Sequence, residues 1–486
     1  ADFFRVVEQI KTRLGSKPLP LQVPIGAEDN FKGVVNLIDM KAIVWDEESK
    51  GMKFDEVEIP GDLQDKVNEL REQVLETAAE ANEELIRSAA QLGIKAVFMV
   101  TGGYSEAGEK GKEAENRIVS LSNELGLVVA GPNGQGIVST PANLCAQIVA
   151  PYPPKGRISV ASQSGNFVSA FQNYANQYGV GISRAVSAGN AADTSIADYL
   201  EWFADDEETD VALCYVEGVK NGREFFERIK NVTKKMPVIM VKGGSTSGGQ
   251  RAAASHTGSL ASDGRVFEGM ARQAGITRTQ NIESAFEVAA TFATQPLPSG
   301  PRVLVLTTAG GWGVVTADAI SQSSDLVLTP LPRDLKETIN ELLPPRWSKN
   351  NPIDLAGGET RDTIPELLAL ASKHPEIDSI IQLGLGIQGN TANLVKNGKF
   401  YPEHGLERIV NFHERQEQRY AEASIEASLA SGKPILVASE LATTQPNNPM
   451  VKNIRDSSRL CYASANRAVS ALNHLVRYSN WRNQNS

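Results

Sequence analysis

The sequence predicts an α/β protein whose main part consists of parallel sheets with helices on both faces. From residue 94 onward, short apolar runs typical of buried strands alternate with segments of helical periodicity. Turns of small residues follow several of these runs, and 486 residues are enough for roughly three domains. The apolar runs are IKAVFMV, GLVVAG, RISVAS, DVALCYVEG, MPVIMVKGG, PRVLVLTTAGG, IDSIIQLGLG and KPILVASE.

The first 85 residues differ from the rest in both pattern and charge. They mix short alternating strands, such as residues 31–38, with one long acidic helix pattern over residues 62–85. Their net charge is −9, whereas residues 86–486 carry a net charge of only −1. A small α+β segment, 1–85, is therefore predicted, with a domain boundary near residue 85.

Composition narrows the class of protein. A hydrophobic content of 41%, a charged content of 22% and a net charge of −10 are typical of a globular protein and argue against nucleic acid as a partner. The sequence contains no apolar run of about 18 residues and no export signal, so no membrane association is predicted. Cys145, Cys214 and Cys461 lie far apart, which predicts neither disulfides nor a thiolate metal site and favours the cytoplasm.

Two stretches of the main part resemble each other. RISVASQSGNFVSAF and RVLVLTTAGGWGVVTADA both read as a strand, a turn of small residues and a helix that opens on glycine. Two flavodoxin-like parallel-sheet domains, residues 151–297 and 298–486, would explain this repetition. Such sheets bind ligands at the carboxyl ends of their strands, and site residues are therefore expected there.

His256 and Glu217 are the candidate catalytic residues. His256 lies in a polar loop rich in glycine and serine after the strand MPVIMVKGG, and it is the only one of five histidines in such a setting. Glu217 ends the preceding strand, so adjacent strands could bring both side chains to one sheet edge. A carboxylate bonded to one imidazole nitrogen leaves the other nucleophilic. An exposed loop histidine and a solvated acid are equally compatible with the sequence.

Two turns are candidate phosphate sites. Ser162, Ser164 and Gly165 open one helix, and Gly310 and Gly311 open another, so amide groups and the positive end of a helix dipole could face an anion. Tight packing between strand and helix is the alternative reason for such small residues. Residues 131–136 have the wrong spacing for G-x-G-x-x-G, and the histidines and acids show no metal-ligand spacing, so no protein-bound metal is predicted.

Residues 86–486 resemble the α subunit, or α-like half, of NDP-forming acyl-CoA synthetases, which are relatives of succinyl-CoA synthetase. The matching segments are GPNGQGIV, SQSGNFVSAF, YVEGVKNGREF, AAASHTGSLASD, TTAGGWGVVTADA and NPIDL. The resemblance implies an acid–thiol ligase that forms or consumes acyl-CoA through a phosphohistidine. It implies that His256 carries the phosphoryl group, that Glu217 orients it, and that the two helix ends face the phosphate.

The same resemblance implies the substrates and a partner. CoA would bind a Rossmann-like domain, residues 86–150, in which Gly131, Pro132 and Asn133 are the candidate contacts. Only the later part of that domain, residues 94–138, is recognisable. ATP/ADP, or GTP/GDP, would bind with Mg²⁺ to a separate ATP-grasp β subunit, because no segment here is left over to form one. Acetate-like and larger carboxylic acids both remain open as substrates.

Residues 1–85 resemble a different family. The stretch from ADFFRVVEQIK to AAEANEEL is similar to the insert in the GTPase domain of translation elongation factor G. That family's phosphate loop and its Asn-Lys-x-Asp motif do not occur here, so GTPase activity is not implied. Since the chain begins at Ala1, we expect a truncated or chimeric gene model, with a genuine fusion as the alternative.

Two other functions compete with the ligase. A non-catalytic subunit that binds CoA or phosphate, or that serves assembly, would follow if the shortened CoA domain is inactive. A nicotinamide-dependent oxidoreductase is compatible with the βαβ pattern but lacks the glycine fingerprint and its downstream acid.

Overall fold

The computed structural model describes residues 2–15, 18–46, 52–148, 151–246, 248–249, 251, 264–358 and 360–485. The chain divides into two units, Ala1–Asn133 and Gly134–Ser486. In the described part of the chain, no helix is both long and apolar enough to cross a lipid bilayer. The predicted α/β class with parallel sheets is confirmed.

The first unit begins with a small antiparallel sheet. Alternating side chains of its strands point inward, and Val23, Val35 and Ala42 are fully buried. Val67 and Leu70 of the helix that follows complete this small core. The strand order is the chain order. The elements are helix α1 (Phe3–Leu14), strands β1 (Gln22–Ile25), β2 (Gly33–Asn36), β3 (Lys41–Trp45) and β4 (Phe54–Val57), and a 3₁₀ turn over Glu28–Asn30.

A long helix, α2 (Gln64–Gln91), joins this sheet to the rest of the first unit. The boundary predicted near residue 85 lies inside it. Ile86 packs into a second small core, formed with a two-stranded parallel sheet and a further helix. These elements are β5 (Ala96–Phe98), a 3₁₀ turn over Ser105–Ala107, α3 (Glu109–Leu125) and β6 (Val128–Ala130).

The second unit opens with a seven-stranded sheet. Its strands are β7 (Gly136–Ser139), β8 (Leu144–Gln147), β9 (Lys155–Ser162), β10 (Ile182–Ser187), β11 (Val211–Val216), β12 (Val238–Lys242) and β13 (Thr277–Thr279). Their order is β13-β12-β11-β9-β10-β7-β8, and β9 to β13 are parallel. β7 and β8 form an antiparallel edge. The sequence pattern predicts these two strands in the preceding domain, residues 86–150, whereas they pair with the sheet of the second unit.

The helices of this sheet begin where the sequence supplies caps. The side chains of Ser195, Asn221 and Asn281 accept hydrogen bonds from first-turn amides of three of them. Apolar residues then recur on one face of each helix and pack on the sheet. The helices are α4 (Gly165–Tyr178), α5 (Ile196–Ala204), α6 (Gly222–Lys235), α7 (Gly264–Gln273) and α8 (Ile282–Thr294).

A second parallel sheet follows in the same unit. Its strands are β14 (Arg302–Thr307), β15 (Val327–Leu328), β16 (Ile353–Asp354), β17 (Ser379–Leu383), β18 (Ile435–Ala438) and β19 (Cys461–Tyr462). The order is β15-β14-β17-β18-β19, and β16 pairs with β14. The helices are α9 (Gly310–Gln322), α10 (Arg333–Leu342), α11 (Thr363–Lys373), α12 (Ile387–Lys396), α13 (Leu406–Ser431), α14 (Leu441–Thr444), α15 (Pro449–Asp456) and α16 (Ala465–Asn485).

One hydrophobic core connects the two sheets of the second unit. It contains residues of both sheets together with much of α8 and α16. Polar bonds cross the same region: the Gln295 side chain pairs with both main-chain groups of Ile435 at 3.1 Å. The Tyr478 hydroxyl donates to the carbonyl of Thr233 at 2.8 Å. These bonds hold the two sheets in one arrangement, because breaking them would leave buried polar groups unpaired.

A buried carboxylate at the start of the second sheet carries a stability prediction. Asp378 is 1% exposed and accepts hydrogen bonds from the Arg302 guanidinium (Nε–Oδ2 2.8 Å), the Arg302 amide (2.9 Å) and the Ser299 hydroxyl (2.9 Å). Burial by itself would raise the pKa of Asp378, but the bonds from Arg302 and Ser299 outweigh it and lower the pKa.

The substitution Asp378→Ala should therefore lower the free energy of unfolding by about 3 kcal/mol at pH 7. Because the native pKa is depressed, this stabilisation is present above about pH 4 and is lost as the pH falls further. Urea unfolding of wild type and variant at pH 7 and pH 3 checks both points. The control Glu337→Gln breaks an exposed helical pair with Arg333 and should change little. A difference between Asp378→Ala and wild type that grows on acidification would contradict the assignment.

Candidate functional site

Three parallel strands end side by side at one edge of the first sheet of the second unit. Ser162 is the last residue of β9 and lies opposite Tyr215 of β11, and Val216 of β11 lies opposite Lys242 of β12. Glu217 follows β11 directly. Glu217 therefore lies at the same sheet edge as the turn after β9 and the end of β12.

The candidate His256 lies outside the described residues. The loop that carries it leaves β12 at Gly243, and the described chain resumes at Gly264 with α7. These two ends of the loop are close together, because a Cβ atom on Gly264 would lie 2.5 Å from the carbonyl oxygen of Ser245. The contact between His256 and Glu217 stays a prediction.

Glu217 is held at the strand end by its main chain. The residue is 7% exposed, and its amide donates to Oε1 of Gln163 at 2.5 Å. Its carbonyl accepts a hydrogen bond from Nζ of Lys242 at 2.7 Å. The Tyr215 hydroxyl interacts with the Glu217 carboxylate, and burial together with this acid raises the pKa of Tyr215. Glu217 is thus a fixed, largely buried acid rather than a freely solvated one.

Lys242 is a further candidate residue, which the sequence patterns did not single out. It is 6% exposed, and its ammonium also binds the carbonyl of Gly243. Burial lowers its pKa, the nearby Arg278 lowers it further, and the Glu217 carboxylate opposes both. A lysine at the end of the apolar run MPVIMVK was the available signal. An ammonium group on Lys242 would add positive charge to this edge of the sheet, where it could stabilise a phosphoryl group.

The turn after β9 presents the start of α4. The Ser162 hydroxyl donates to the carbonyl of Ser164 at 2.7 Å and accepts from its amide at 3.1 Å. Ser164 occupies the N-cap position, yet its side chain makes no capping bond to the first-turn amides. Gly165 has a packing reason, because a Cβ atom there would lie 2.2 Å from Cδ of Gln135. The helix end is suited to an anion by its amides and dipole.

The turn after β14 repeats this construction at the start of α9. The Thr307 hydroxyl donates to the carbonyl of Ala309 at 2.9 Å and accepts from its amide at 3.0 Å. Gly310 is explained by packing, since a Cβ atom would lie 2.6 Å from Oδ2 of Asp354. Gly311 has open space where its Cβ would be. A packing contact therefore favours glycine at position 310, whereas no such contact is present at Gly311.

The candidate CoA contacts lie in the first unit. Gly131 and Pro132 are joined by a cis peptide bond directly after β6. The amide of Asn133 donates to the carbonyl of Thr101 at 2.9 Å, which ties this turn to the segment after β5. A Cβ atom on Gly131 would lie 2.4 Å from the carbonyl oxygen of Met99, so the chain needs glycine there. The turn therefore lies at the carboxyl ends of two parallel strands, where such sheets receive ligands.

A metal centre is not visible within the described ranges, where no group of three or more histidine, cysteine, aspartate or glutamate side chains could hold an ion. The described candidates are therefore Glu217, Lys242 and the helix end at Ser164 and Gly165, which share one edge of the seven-stranded sheet, and a separate helix end at Gly310 and Gly311 on the second parallel sheet.

Comparison with known proteins gives consistent matches over most of the chain. Residues 155–292 match the succinyl-CoA ligase-like flavodoxin domain, and residues 303–392 match the ligase-CoA domain. A solved structure of the dinucleotide-forming acetyl-coenzyme A synthetase 1 of Ca. Korarchaeum cryptofilum, in complex with phosphate and ADP, has a TM-score of 0.70 and 28% identity to this chain. The superposition covers 83% of this chain and 82% of that one.

Two curated relatives come from Pyrococcus furiosus. The α subunit of its ADP-forming acetate–CoA ligase II is 38% identical over 291 residues, which is 60% of this chain and 63%, less than two thirds, of that protein. The α subunit of its ADP-forming acetate–CoA ligase I is 30% identical over 455 residues, which is 94% of this chain and 92% of that protein. With its two matched domains and this nearly full-length relative, the chain belongs to the family of ADP-forming acetate–CoA ligase α subunits.

Proposed function

We propose that this chain is a subunit of an acid–thiol ligase that forms or consumes acyl-CoA with ATP and ADP, or GTP and GDP, through a phosphohistidine at His256. The observation that carries the proposal is the buried, main-chain-anchored Glu217 at the strand end beside the β12 strand, from which the loop with His256 departs. An acid in this position could hold one imidazole nitrogen and leave the other free to attack phosphorus.

The proposed phosphoryl transfer from an acyl phosphate to His256 needs no further reactant. The unprotonated imidazole nitrogen forms a bond to phosphorus as the bond between phosphorus and the acyl oxygen breaks, and the carboxylate leaves. Glu217 keeps the proton on the other ring nitrogen and stabilises the positive charge that develops there. The amides at the starts of α4 and α9, together with Lys242, would stabilise the phosphoryl oxygens. Acyl transfer to or from CoA, and phosphoryl transfer to ADP, complete the proposed cycle.

The partners follow the same proposal. CoA would contact Gly131, Pro132 and Asn133, and the nucleotide would bind with Mg²⁺ to an ATP-grasp β subunit. Both relatives from Pyrococcus furiosus are named α subunits, which supports a separate partner chain. The similarity of residues 1–85 to the elongation factor G insert, with the chimeric origin it suggests, stays a prediction.

The test is phosphorylation of the chain itself. Incubation with labelled ATP, Mg²⁺ and an ATP-grasp partner subunit should yield one phosphoryl group per chain that is labile in acid and stable in base, as expected for a phosphohistidine. Addition of ADP should discharge the label, because the reaction is reversible. Label that survives acid, or that ADP does not remove, would count against the proposal.

A non-catalytic subunit is the second candidate, and one observation favours it. The parallel sheet of the first unit has two described strands, β5 and β6, and Ile94, Val100 and Val128 beside or within them are 45%, 48% and 52% exposed. A sheet this short offers few contacts for CoA. Calorimetry with CoA separates the candidates: micromolar binding argues against a damaged CoA site, and no heat of binding supports one.

A further inference from the structure

Gln163 links the two halves of the proposed phosphoryl site. It is the first residue after β9, and its side chain reaches across to the residues after β11. Oε1 accepts hydrogen bonds from the amides of Glu217 at 2.5 Å and Gly218 at 3.2 Å, and Nε2 donates to the carbonyl of Gly218 at 3.1 Å. Both acceptor sites of the Gln163 side-chain oxygen are thus used by main-chain amides, those of Glu217 and of Gly218, the residue after it.

The main chain of Gln163 strengthens this connection. Its amide donates to the carbonyl of Tyr215 at 3.1 Å, so the strand ladder continues one residue beyond β9. The next residues, Ser164 and Gly165, open α4. The start of that helix and the main chain of Glu217 are therefore joined through one residue, by main-chain and side-chain bonds together.

The second sheet provides an internal comparison. Thr308 occupies the position of Gln163 after β14, and its hydroxyl donates one bond, to the carbonyl of Gly384 at 2.6 Å. By the strand registers, Thr307 opposite Leu383 corresponds to Ser162 opposite Tyr215, so Leu385 holds the place of Glu217. In the second sheet, where no acid follows the strand, Thr308 thus makes one side-chain hydrogen bond to the neighbouring strand end. In the first sheet of this unit, where Glu217 follows the strand, Gln163 makes three. The fold can be built without the two additional bonds.

We propose that Gln163 is a positioning residue, which acts through Glu217 by keeping its main chain in register with the anion-binding start of α4. This inference rests on the proposed function, because the alignment of Glu217 with the start of α4 matters only if the histidine and the phosphoryl group bind between them. Displacement of a catalytic group by about 1 Å can lower a rate about 100-fold.

The substitution Gln163→Met tests the link, because methionine has a similar length and makes none of the three bonds. Hydrogen exchange, followed on a peptide spanning residues 213–219, should show the amides of Glu217 and Gly218 exchanging at least about 10-fold faster than in wild type. This measurement does not depend on activity. Unchanged exchange at these amides would overturn the inference, whatever the enzyme does.

Kinetics show whether the link acts through Glu217. The single-turnover rate of phosphorylation should fall roughly 10- to 100-fold in Gln163→Met, with a displaced pH profile. Combining it with Glu217→Gln should add little further loss, because both changes disable the same contact. Losses that multiply in the double variant would overturn the inference. A wild-type protein that takes up no label would refute the proposed function instead, and hydrogen exchange would still decide the link.

Gln172→Met is the matched control. Gln172 is a buried residue of α4 whose side chain exchanges two hydrogen bonds with Gln147, at 3.1 and 3.2 Å. This variant makes the same chemical change in the same domain without touching Glu217. It should be less stable than wild type, yet keep the slow exchange at residues 217 and 218 and the wild-type pH profile. Equal effects of both variants would indicate general destabilisation and overturn the inference.

Discussion

The substitution His256→Ala is expected to abolish acid-labile phosphorylation and to lower ligase turnover by at least about 1000-fold. The reason is chemical: the His256 imidazole is the proposed covalent nucleophile, and loss of a covalent nucleophile removes the intermediate outright. Labelling by ATP, Mg²⁺ and the partner subunit, followed by acid quenching and gel analysis, measures the effect.

His404→Ala is the control for this experiment. His404 is an exposed histidine of the second sheet domain and lies outside the proposed site. Its variant should label like wild type, and both variants should unfold at the wild-type temperature. Equal labelling of His256→Ala and wild type would refute the phosphohistidine assignment, since the label would then reside on another residue.

The second large effect is expected for Glu217→Gln. Glutamine has the size of glutamate but no charge, so the strand end should remain folded while the imidazole loses its fixed tautomer and the stabilisation of its positive charge. We expect the phosphorylation rate to fall roughly 100- to 10,000-fold. Because a neighbouring carboxylate favours the charged imidazole, its removal should also shift the pH profile of phosphorylation toward lower pH.

Rapid-quench measurements across pH 5.5 to 9 check both expectations for Glu217→Gln. Glu207→Gln is the matched control, because Glu207 is exposed and lies before β11, at the opposite end of the same strand. That variant should keep the wild-type rate and pH profile. If Glu217→Gln lowered the rate without moving the profile, the acid would not be the partner of the imidazole.

Tight packing between strand and helix, the alternative reason for the small-residue turns, is supported by contacts at two of the glycines. A Cβ atom on Gly165 would meet the Gln135 side chain, and one on Gly310 would meet the Asp354 carboxylate. Packing and ligand approach are not exclusive, because glycine at the start of a helix serves both. The sequence could not separate the two readings, since the atoms that crowd these glycines come from 30 or 44 positions away in the chain.

Lys242 and Gln163 show why part of the site could not be predicted. Each looked ordinary in sequence, one as the polar end of an apolar strand and the other as a turn residue. Their importance comes from the register of β9, β11 and β12, which sets Gln163 and Lys242 on opposite sides of the Glu217 main chain. Register depends on how whole strands pack, and a single sequence does not contain that information.

The sequence by itself determined the alternation of strands and helices, the repeated strand-turn-helix unit and the strand-end location of Glu217. These are local properties, because apolar periodicity, glycine and proline act over a few residues. The tertiary structure alone decided that α2 runs unbroken past residue 85 and that β7 and β8 form one edge of the seven-stranded sheet. It also decided that one core joins the two sheets of the second unit. These features follow from burial of apolar surface between distant segments, which only the folded chain brings together.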